Sequence, residues 1–231
     1  MWSRKALRIF YVKNNLEADL IIWPEAPLPY LNTSLQMTAL LKKLDNSPYI
    51  LSGAWEYKEN GLNNIMTILG TNQTYSKRHL VPFGEYVPFE GILRGLIEFF
   101  DLPMSNVSHG SRNQQNIKLL NDIKVATPIC FDIAFPNTVR LMNKSSLLMI
   151  NISNDTWFGN SIGPYHHLDI SRIRSIENNR WSIRSTNDGI SALISNNGTI
   201  VTKLDKGVSG ILEGKVGLIK ENSLYNMYGY L

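Results

Sequence analysis

Short apolar runs alternate along this chain with longer segments whose apolar residues recur at helical spacing. We interpret the runs at residues 18–23, 125–130 and 146–152 as buried strands, the first of them stopped by Pro24. Between and after these runs, helices are predicted at 34–45, 135–144 and 167–182. Strands interleaved with helices can bury their apolar faces only by stacking in layers, so the pattern predicts an α/β fold.

Hairpin signals add further strands to this outline. Residues 49–55 and 64–69 read as paired strands around a turn near Asn60-Gly61, and 190–194 and 199–204 flank the turn Asn196-Asn197-Gly198. A strand is also predicted to begin at Tyr75 and to end in the loop with Pro82 and Gly84, and a helix is predicted over 4–15. In the helix at 167–182, the residues expected to face the core are Leu168, Ile173 and Ile176.

Length and charge limit the possible functions. The chain has 231 residues, without a repeat or a linker, so we expect one domain over 1–231. Its net charge of +4 comes from scattered Lys and Arg, which do not form a basic run of the kind that binds nucleic acid. The apolar runs are far shorter than the ~20 residues needed to span a membrane. The basic N-terminus lacks the apolar stretch of a signal peptide.

The segment 87–104 carries a wide apolar stripe at helical spacing. Two interpretations remain open: a core helix, or a helix or loop that rims an apolar pocket or touches a membrane surface. Arg94 is the one basic residue in this segment, so its attraction to anionic lipid is expected to be weak.

Cys130 is the single cysteine, so it cannot form a disulfide within the chain. It is either an inert buried thiol or a nucleophile. Glu25 and Lys77 each lie beside a predicted strand end, as Cys130 does. A carboxylate can take a thiol proton as attack begins, and an ammonium can lower the thiol pKa and face an oxyanion. Taken singly, however, Glu25 or Lys77 would pass for a solvated surface charge.

Neighbouring residues could support such a site. The backbone N–H of Phe131 could be a second donor to the oxyanion, and Glu85 could return across the Pro-Phe-Gly turn to orient Lys77. The alternative for Glu85 and Asp132 is a loop charge or turn residue.

The remaining polar signals predict structure rather than chemistry. His166 and His167 have no second cluster with ligand spacing, so we expect surface or loop histidines and no metal, and His79 and His109 are isolated. The segment 157–159 is expected to form a loop over the pocket. Polar residues of the last long helix are expected to pin loops by hydrogen bonds; they are Arg172, Arg174, Glu177, Asn178 and Arg180.

Three blocks resemble the signatures of the nitrilase (carbon–nitrogen hydrolase) superfamily: Trp23-Pro24-Glu25, Lys77 with residues 79–85, and Cys130-Phe131-Asp132. More narrowly, residues 79–89, 99–104, 128–136, 151–159 and 172–191 resemble the catalytic domain of the bacterial apolipoprotein N-acyltransferases. The resemblance implies a four-layer αββα sandwich without a cofactor. It implies that Glu25 is the general base, Lys77 the stabilising cation, Cys130 the nucleophile and Glu85 a supporting glutamate. Phe131 and Asp132 stand where that family usually has Tyr and Glu.

The resemblance also implies a reaction and its partners. Cys130 would take an acyl group from a phospholipid as a thioester, and the N-terminal amine of a diacylglyceryl-cysteine lipoprotein would accept it as an amide. The expected location is the periplasmic face of the bacterial inner membrane. The family's membrane helices and its first strand are not found in this sequence, so we expect a truncated domain that works against a membrane surface or a separate membrane domain.

Two alternatives stay open: a soluble amidase of the same superfamily, and a non-catalytic remnant or subunit of a split acyltransferase.

Overall fold

The fold is described from a computed structural model, which covers residues 18–44, 49–88 and 107–230. The helix predicted over 4–15 lies outside the described residues, and the apolar stripe over 87–104 lies almost entirely outside them.

The first sheet has four strands in the order β1-β2-β3-β4. Strand β1 runs parallel to β2, and the other neighbours are antiparallel. Strands β2 and β3 form the predicted hairpin, in which Lys58 pairs with Gly61 next to the turn. The bounds are β1 Leu20–Ile22, β2 Tyr49–Lys58, β3 Gly61–Ile68 and β4 Thr74–Ser76.

The second sheet has six strands in the order β10-β9-β8-β7-β6-β5. Its centre is parallel, since β7 pairs in parallel with both β6 and β8, whereas the outer pairs are antiparallel. The bounds are β5 Ile117–Lys118, β6 Lys124–Ala126, β7 Leu148–Asn154, β8 Ser182–Asn187, β9 Ser191–Ile194 and β10 Ile200–Leu204.

Four α-helices accompany the sheets in the described residues: α1 Leu35–Lys43, α2 Pro136–Asn143, α3 Gly163–Asn178 and α4 Leu224–Tyr228. Helix α1 begins after Ser34, whose hydroxyl accepts a hydrogen bond from the backbone N–H of Met37. Helix α3 ends at Asn179 in the left-handed conformation (φ 51°). Short 3₁₀ helices cover Leu120–Asp122, Cys130–Ala134 and Asp155–Phe158.

The apolar core of the described residues divides into three clusters, and an outer and an inner one lie on the two faces of the first sheet. Met37 of α1 packs with Ile21 and Ile50 on the outer face of the first sheet. The inner cluster joins both sheets, for instance through Leu51 of β2 and Met149 of β7. Helices α2 and α3 contact β6 and β8 of the second sheet. The described residues therefore form the predicted layers in the order helix, sheet, sheet, helix.

The prediction for residues 167–182 was wrong at both ends. Helix α3 starts earlier, at Gly163, and the chain then enters β8 at Ser182. Of its three expected core residues, Leu168 is buried, but Ile173 and Ile176 are about half exposed (49% and 54%). The helix instead buries small polar residues, such as Ser171 and Ser175.

The run at 125–130 is only partly a regular strand. Strand β6 ends at Ala126, although Ile129 still forms a bridge with Ile152 of β7. Cys130 then opens a 3₁₀ helix rather than ending a strand.

The expectation that polar residues of α3 pin loops is confirmed. The guanidinium of Arg172 donates to the carbonyl of Gly198, and that of Arg174 donates to the carbonyl of Ile133. Beyond the helix, the fully buried Arg180 donates to carbonyls of two chain segments: Asn143 and Ser146 after α2, and Glu221 near the C-terminus.

Candidate active site

Ends of strands in both sheets bring Glu25, Lys77 and Cys130 into one buried cluster. Glu25 follows β1, Lys77 follows β4, and Cys130 follows β6. The ammonium nitrogen of Lys77 lies 3.2 Å from Oε1 of Glu25. The exposed fractions are 4% for Glu25, 2% for Lys77 and 8% for Cys130, so neither charge is a solvated surface charge. A charge is costly to bury unless it is paired, and here the two charges pair with each other.

Glu25 is fixed through both oxygens of its carboxylate. Oε1 accepts a hydrogen bond from the side-chain amide of Asn64 (2.6 Å), and Oε2 accepts one from the backbone N–H of Asn154 (2.7 Å). The Asn187 side chain donates to the backbone carbonyl of Glu25 (2.8 Å). Neither Asn64 nor the Asn154 N–H was singled out from the sequence.

A glycine allows the backbone of Glu25 to approach β2 closely. A Cβ added to Gly53 would lie 2.8 Å from Cα of Glu25 and 2.7 Å from the backbone nitrogen of Ala26. Real Cβ atoms do not approach other atoms so closely. Only a residue without a side chain therefore lets the glutamate reach this position.

Lys77 is held as an ammonium between two carboxylates. Its nitrogen lies 2.8 Å from Oε1 of Glu85, whose second oxygen accepts from the backbone N–H of Val81 (2.9 Å). Burial alone would lower the pKa of Lys77, but the charges of Glu25 and Glu85 raise it well above its usual value. The structure thus places Glu85 where it can orient the lysine.

Cys130 has a strained backbone, with a positive φ of 46°. The bridge from Ile129 to Ile152 continues the chain beside β7, which leaves the sulfur close to Ser153. Burial and the carboxylate of Glu25 raise the pKa of the thiol to about 12, although Lys77 lowers it. The resting sulfur is therefore a protonated thiol at neutral pH, and it needs a base to become a nucleophile.

Asp132 ties the turn of Cys130 to the strand end of Lys77. Its fully buried carboxylate accepts hydrogen bonds from the backbone N–H of His79 (2.8 Å) and of Ile129 (3.2 Å), and from the hydroxyl of Tyr75 (3.1 Å). Burial raises the pKa of Asp132 to about 6, against the lowering effect of these donors. Asp132 therefore positions both chain segments, and its carboxylate is committed to these contacts.

Phe131 lies between Cys130 and Asp132 in the sequence, and its side chain is partly buried. Its ring meets that of Phe135 edge-on, with centroids 5.2 Å apart, and Phe135 stacks on His79 at 3.6 Å. The phenyl ring thus packs within an aromatic group beside the turn.

The expectation of a surface or loop location was right for His166 and wrong for His167. His166 is exposed on α3. His167 is 6% exposed, and its ring nitrogens lie 3.0 Å from Oδ1 of Asp155 and 3.2 Å from the carbonyl oxygen of Cys130. His167, Ser171, Ser175 and Asn178 form a polar stripe at helical spacing, a pattern that indicates a solvated face, so the sequence contains no signal for this burial.

The loop after β7 lies beside this histidine. Trp157 and Phe158 of its 3₁₀ helix are 65% and 38% exposed, and the Phe158 ring meets His167 edge-on at 5.8 Å. Across residues 18–44, 49–88 and 107–230, no group of three or more His, Cys, Asp or Glu side chains is arranged to hold a metal ion. None of the helices in those same ranges has the length and apolarity needed to cross a bilayer.

The fold and the cluster define an α/β sandwich with a glutamate, a lysine and a cysteine buried together at strand ends. The chain belongs to the carbon–nitrogen hydrolase family, whose model matches residues 5–220. Its structure is similar to that of Nit3 from Saccharomyces cerevisiae, a member of branch 10 of the nitrilase superfamily. The TM-score is 0.65 at 18% identity, over 89% of this chain and 80% of that one. The prediction of a nitrilase-like sandwich is therefore confirmed.

Curated relatives are closer in sequence. The chain is 38% identical to apolipoprotein N-acyltransferase of Pseudomonas syringae pv. tomato over 218 residues, which are 90% of this chain and 43% of the relative. It is 37% identical to the protein of the same name from Photobacterium profundum over 222 residues, 88% of this chain and 42% of the relative. The chain thus spans less than half the length of these relatives.

Proposed function

We propose that this chain carries the catalytic centre of an N-acyltransferase, with Cys130 as nucleophile, Glu25 as general base and Lys77 as stabilising cation. The observation that carries the proposal is the buried contact of Lys77 with Glu25 beside a thiol whose pKa both residues shift. Glu85 and Asp132 position the lysine and the turn of the nucleophile. Two curated relatives that share about 38% and 37% of their aligned residues with this chain bear the name apolipoprotein N-acyltransferase, which supports acyl transfer as the chemistry.

In the first step, the sulfur of Cys130 attacks the carbonyl carbon of an ester while Glu25 accepts the thiol proton. The high thiol pKa makes this proton transfer part of the attack rather than an event before it. The oxyanion faces the ammonium of Lys77 and the backbone N–H of Phe131. When the C–O bond breaks, Glu25 returns the proton to the leaving alkoxide, which gives a thioester and an alcohol.

In the second step, an amine attacks the thioester carbonyl. Glu25 takes a proton from the amine nitrogen, the C–S bond breaks, and the sulfur recovers a proton from Glu25. The products are an amide and the free thiol. Splitting the transfer in two makes each step easier than direct aminolysis of an ester.

The substrates we propose follow from the relatives' name and from this chemistry. A phospholipid is the acyl donor and leaves as a lysophospholipid. The N-terminal amine of a diacylglyceryl-cysteine lipoprotein is the acceptor. We further propose that residues 1–231 act as one domain at the periplasmic face of the bacterial inner membrane, against the membrane surface or a separate membrane domain.

The test supplies phospholipid micelles together with a diacylglyceryl-cysteine peptide. Wild type should release lysophospholipid and form the N-acyl peptide, and Cys130→Ser should do neither. Glu25→Gln should lower the rate by about 10²–10⁴-fold, the usual contribution of a general base. Glu56→Gln, on the partly buried Glu56 of β2, is the matched control and should behave as wild type.

A short aliphatic amide is assayed in parallel. Ammonia release without lysophospholipid would replace the transferase proposal with an amidase. No product from either substrate, on a folded chain, would indicate a non-catalytic protein or a subunit that requires a partner.

A further inference from the structure

A chain of hydrogen bonds runs from Ser153 to the backbone carbonyl of Cys130. The Ser153 hydroxyl donates to Oδ1 of Asp155 (2.6 Å). The same oxygen lies 3.0 Å from Nδ1 of His167, and Nε2 of His167 lies 3.2 Å from the carbonyl oxygen of Cys130. The four residues lie on four different elements, so these hydrogen bonds connect β7 and α3 to the turn that carries the sulfur.

Both nitrogens of the His167 ring face oxygen atoms that accept hydrogen bonds. A carbonyl oxygen carries no proton. Asp155 is a carboxylate, because the hydrogen bond from His167 and the charge of Arg184 outweigh burial and lower its pKa to about 2. A bare Nε2 would set its lone pair against those of the Cys130 carbonyl oxygen.

We propose that His167 is a positioning residue whose Nε2–H donates to the carbonyl of Cys130 and thereby holds the backbone of the nucleophile in its left-handed conformation. This inference rests on the proposed function of Cys130 and adds a residue to that site. His167 does not touch the reacting atoms, since it binds the carbonyl of Cys130 and not the sulfur.

The backbone of Cys130 explains why such a contact is needed. A non-glycine residue with a φ of 46° persists only where its surroundings enforce this conformation. The hydrogen bond from His167 fixes the carbonyl on one side of the residue, and Asp132 fixes the N–H of Ile129 on the other. Without the first contact the peptide can rotate, and the sulfur then points away from Glu25 and Lys77.

Charged and aromatic groups surround the His167 ring. Asp155 faces it directly, and the guanidinium of Arg184 on β8 contacts the far oxygen of the same carboxylate (2.7 Å). The Phe158 ring meets it edge-on. Among the described residues, the carboxylate that contacts this ring is therefore shared between His167 and Arg184.

Two substitutions separate the two hydrogen bonds. In His167→Gln, the side-chain amide nitrogen reaches the position of Nε2 and can still donate to the Cys130 carbonyl. In His167→Asn, the amide nitrogen takes the position of Nδ1 and keeps only the contact with Asp155. His166→Asn, on the exposed neighbouring histidine, is the control.

The readout is the burst of p-nitrophenol when p-nitrophenyl butyrate acylates Cys130, since this probe needs neither phospholipid nor lipoprotein. We expect the Asn variant to acylate about tenfold more slowly, the effect of one lost hydrogen bond, and the Gln variant to stay within about threefold of wild type. Equal losses in the two variants, at equal melting temperature, would overturn the proposal.

A second measurement does not depend on catalysis or on any variant being folded. Nitrogen-15 spectra of histidine-labelled wild-type protein should show a proton on Nε2 of His167. A proton on Nδ1 only would overturn the proposal. If wild type forms no acyl-enzyme with phospholipid, the proposed function fails, while these spectra still decide whether His167 donates to the Cys130 carbonyl.

Discussion

Replacing Lys77 by methionine should be far more destabilising than the loss of an ordinary ion pair. The side chain of Lys77 is 2% exposed, and its nitrogen contacts Glu25 at 3.2 Å and Glu85 at 2.8 Å. Lys77→Met removes the cation from two carboxylates whose side chains are 6% and 10% exposed. Breaking a buried pair from one side leaves uncompensated charge and costs about 3–5 kcal/mol.

The assay is urea unfolding at pH 7, followed by circular dichroism and fluorescence. With a slope of about 3 kcal/mol per molar urea, such a loss lowers the midpoint by about 1–2 M. Lys118→Met is the matched control. The Lys118 pair with Asp122 has a similar distance (3.3 Å), but the two side chains are 48% and 85% exposed, so its loss should cost less than about 1 kcal/mol.

Two further unfolding experiments show whether the loss of stability in Lys77→Met comes from unpaired charge. The double variant Lys77→Met/Glu85→Gln should regain part of the lost stability, because one of the two buried negative charges is gone. The deficit of the single variant should also shrink as pH falls, since a proton can then neutralise a carboxylate. If Lys77→Met costs no more than Lys118→Met, the description of the cluster as a buried charge pair is incorrect.

Two further predictions concern the surroundings of the site. Gly53→Ala should destabilise the chain by about 1–3 kcal/mol and slow acylation, because the new Cβ would lie 2.7 Å from the backbone of Ala26. The control for the unfolding measurement is Gly210→Ala, because a Cβ there has no contact below 3.4 Å. Burial and nearby cations lower the pKa of His79 to about 4, so the folded state binds fewer protons than the unfolded state between about pH 4 and 6.5, and stability falls as pH falls through that window. The variant His79→Phe keeps the stacking on Phe135, and its stability should not fall with pH in this way. If wild type and His79→Phe lose stability with the same slope between about pH 6.5 and 4, His79 does not cause the loss.

The sequence predicts those parts of the fold in which local pattern and tertiary packing agree. Buried apolar strands such as β1 and β7, and the turn at Asn60-Gly61, are visible because burial and turn chemistry leave a local trace. Strand β8 leaves no such local trace in the sequence. It lies between β7 and β9, yet it carries Ser182 and Arg184, both almost fully buried. Arg184 finds its partners Asn151 and Asp155 only in the folded chain, so the sequence alone suggested that the preceding helix continues.

In the site, too, some residues have a signal in the sequence and others do not. Glu25, Lys77 and Cys130 each follow a strand, and a resemblance to a known family marks them, so they could be named in advance. His167 and Asp155 could not be assigned a role. Asp155 pairs with Arg184, which is 29 residues away, and His167 meets the Cys130 carbonyl 37 residues away. Hydrogen bonds over such separations depend on how β7, β8 and α3 pack, and no local pattern records them.

The central claim is that the sulfur of Cys130 carries an acyl group, and intact-mass analysis tests it most directly. The chain contains one cysteine, so a thioester on it has one possible location. After exposure to phospholipid micelles without an acceptor, wild type should gain the mass of one acyl group, and hydroxylamine should remove it. Cys130→Ala should gain nothing. A folded wild-type chain that gains no mass, or an adduct that persists in Cys130→Ala, would contradict the account.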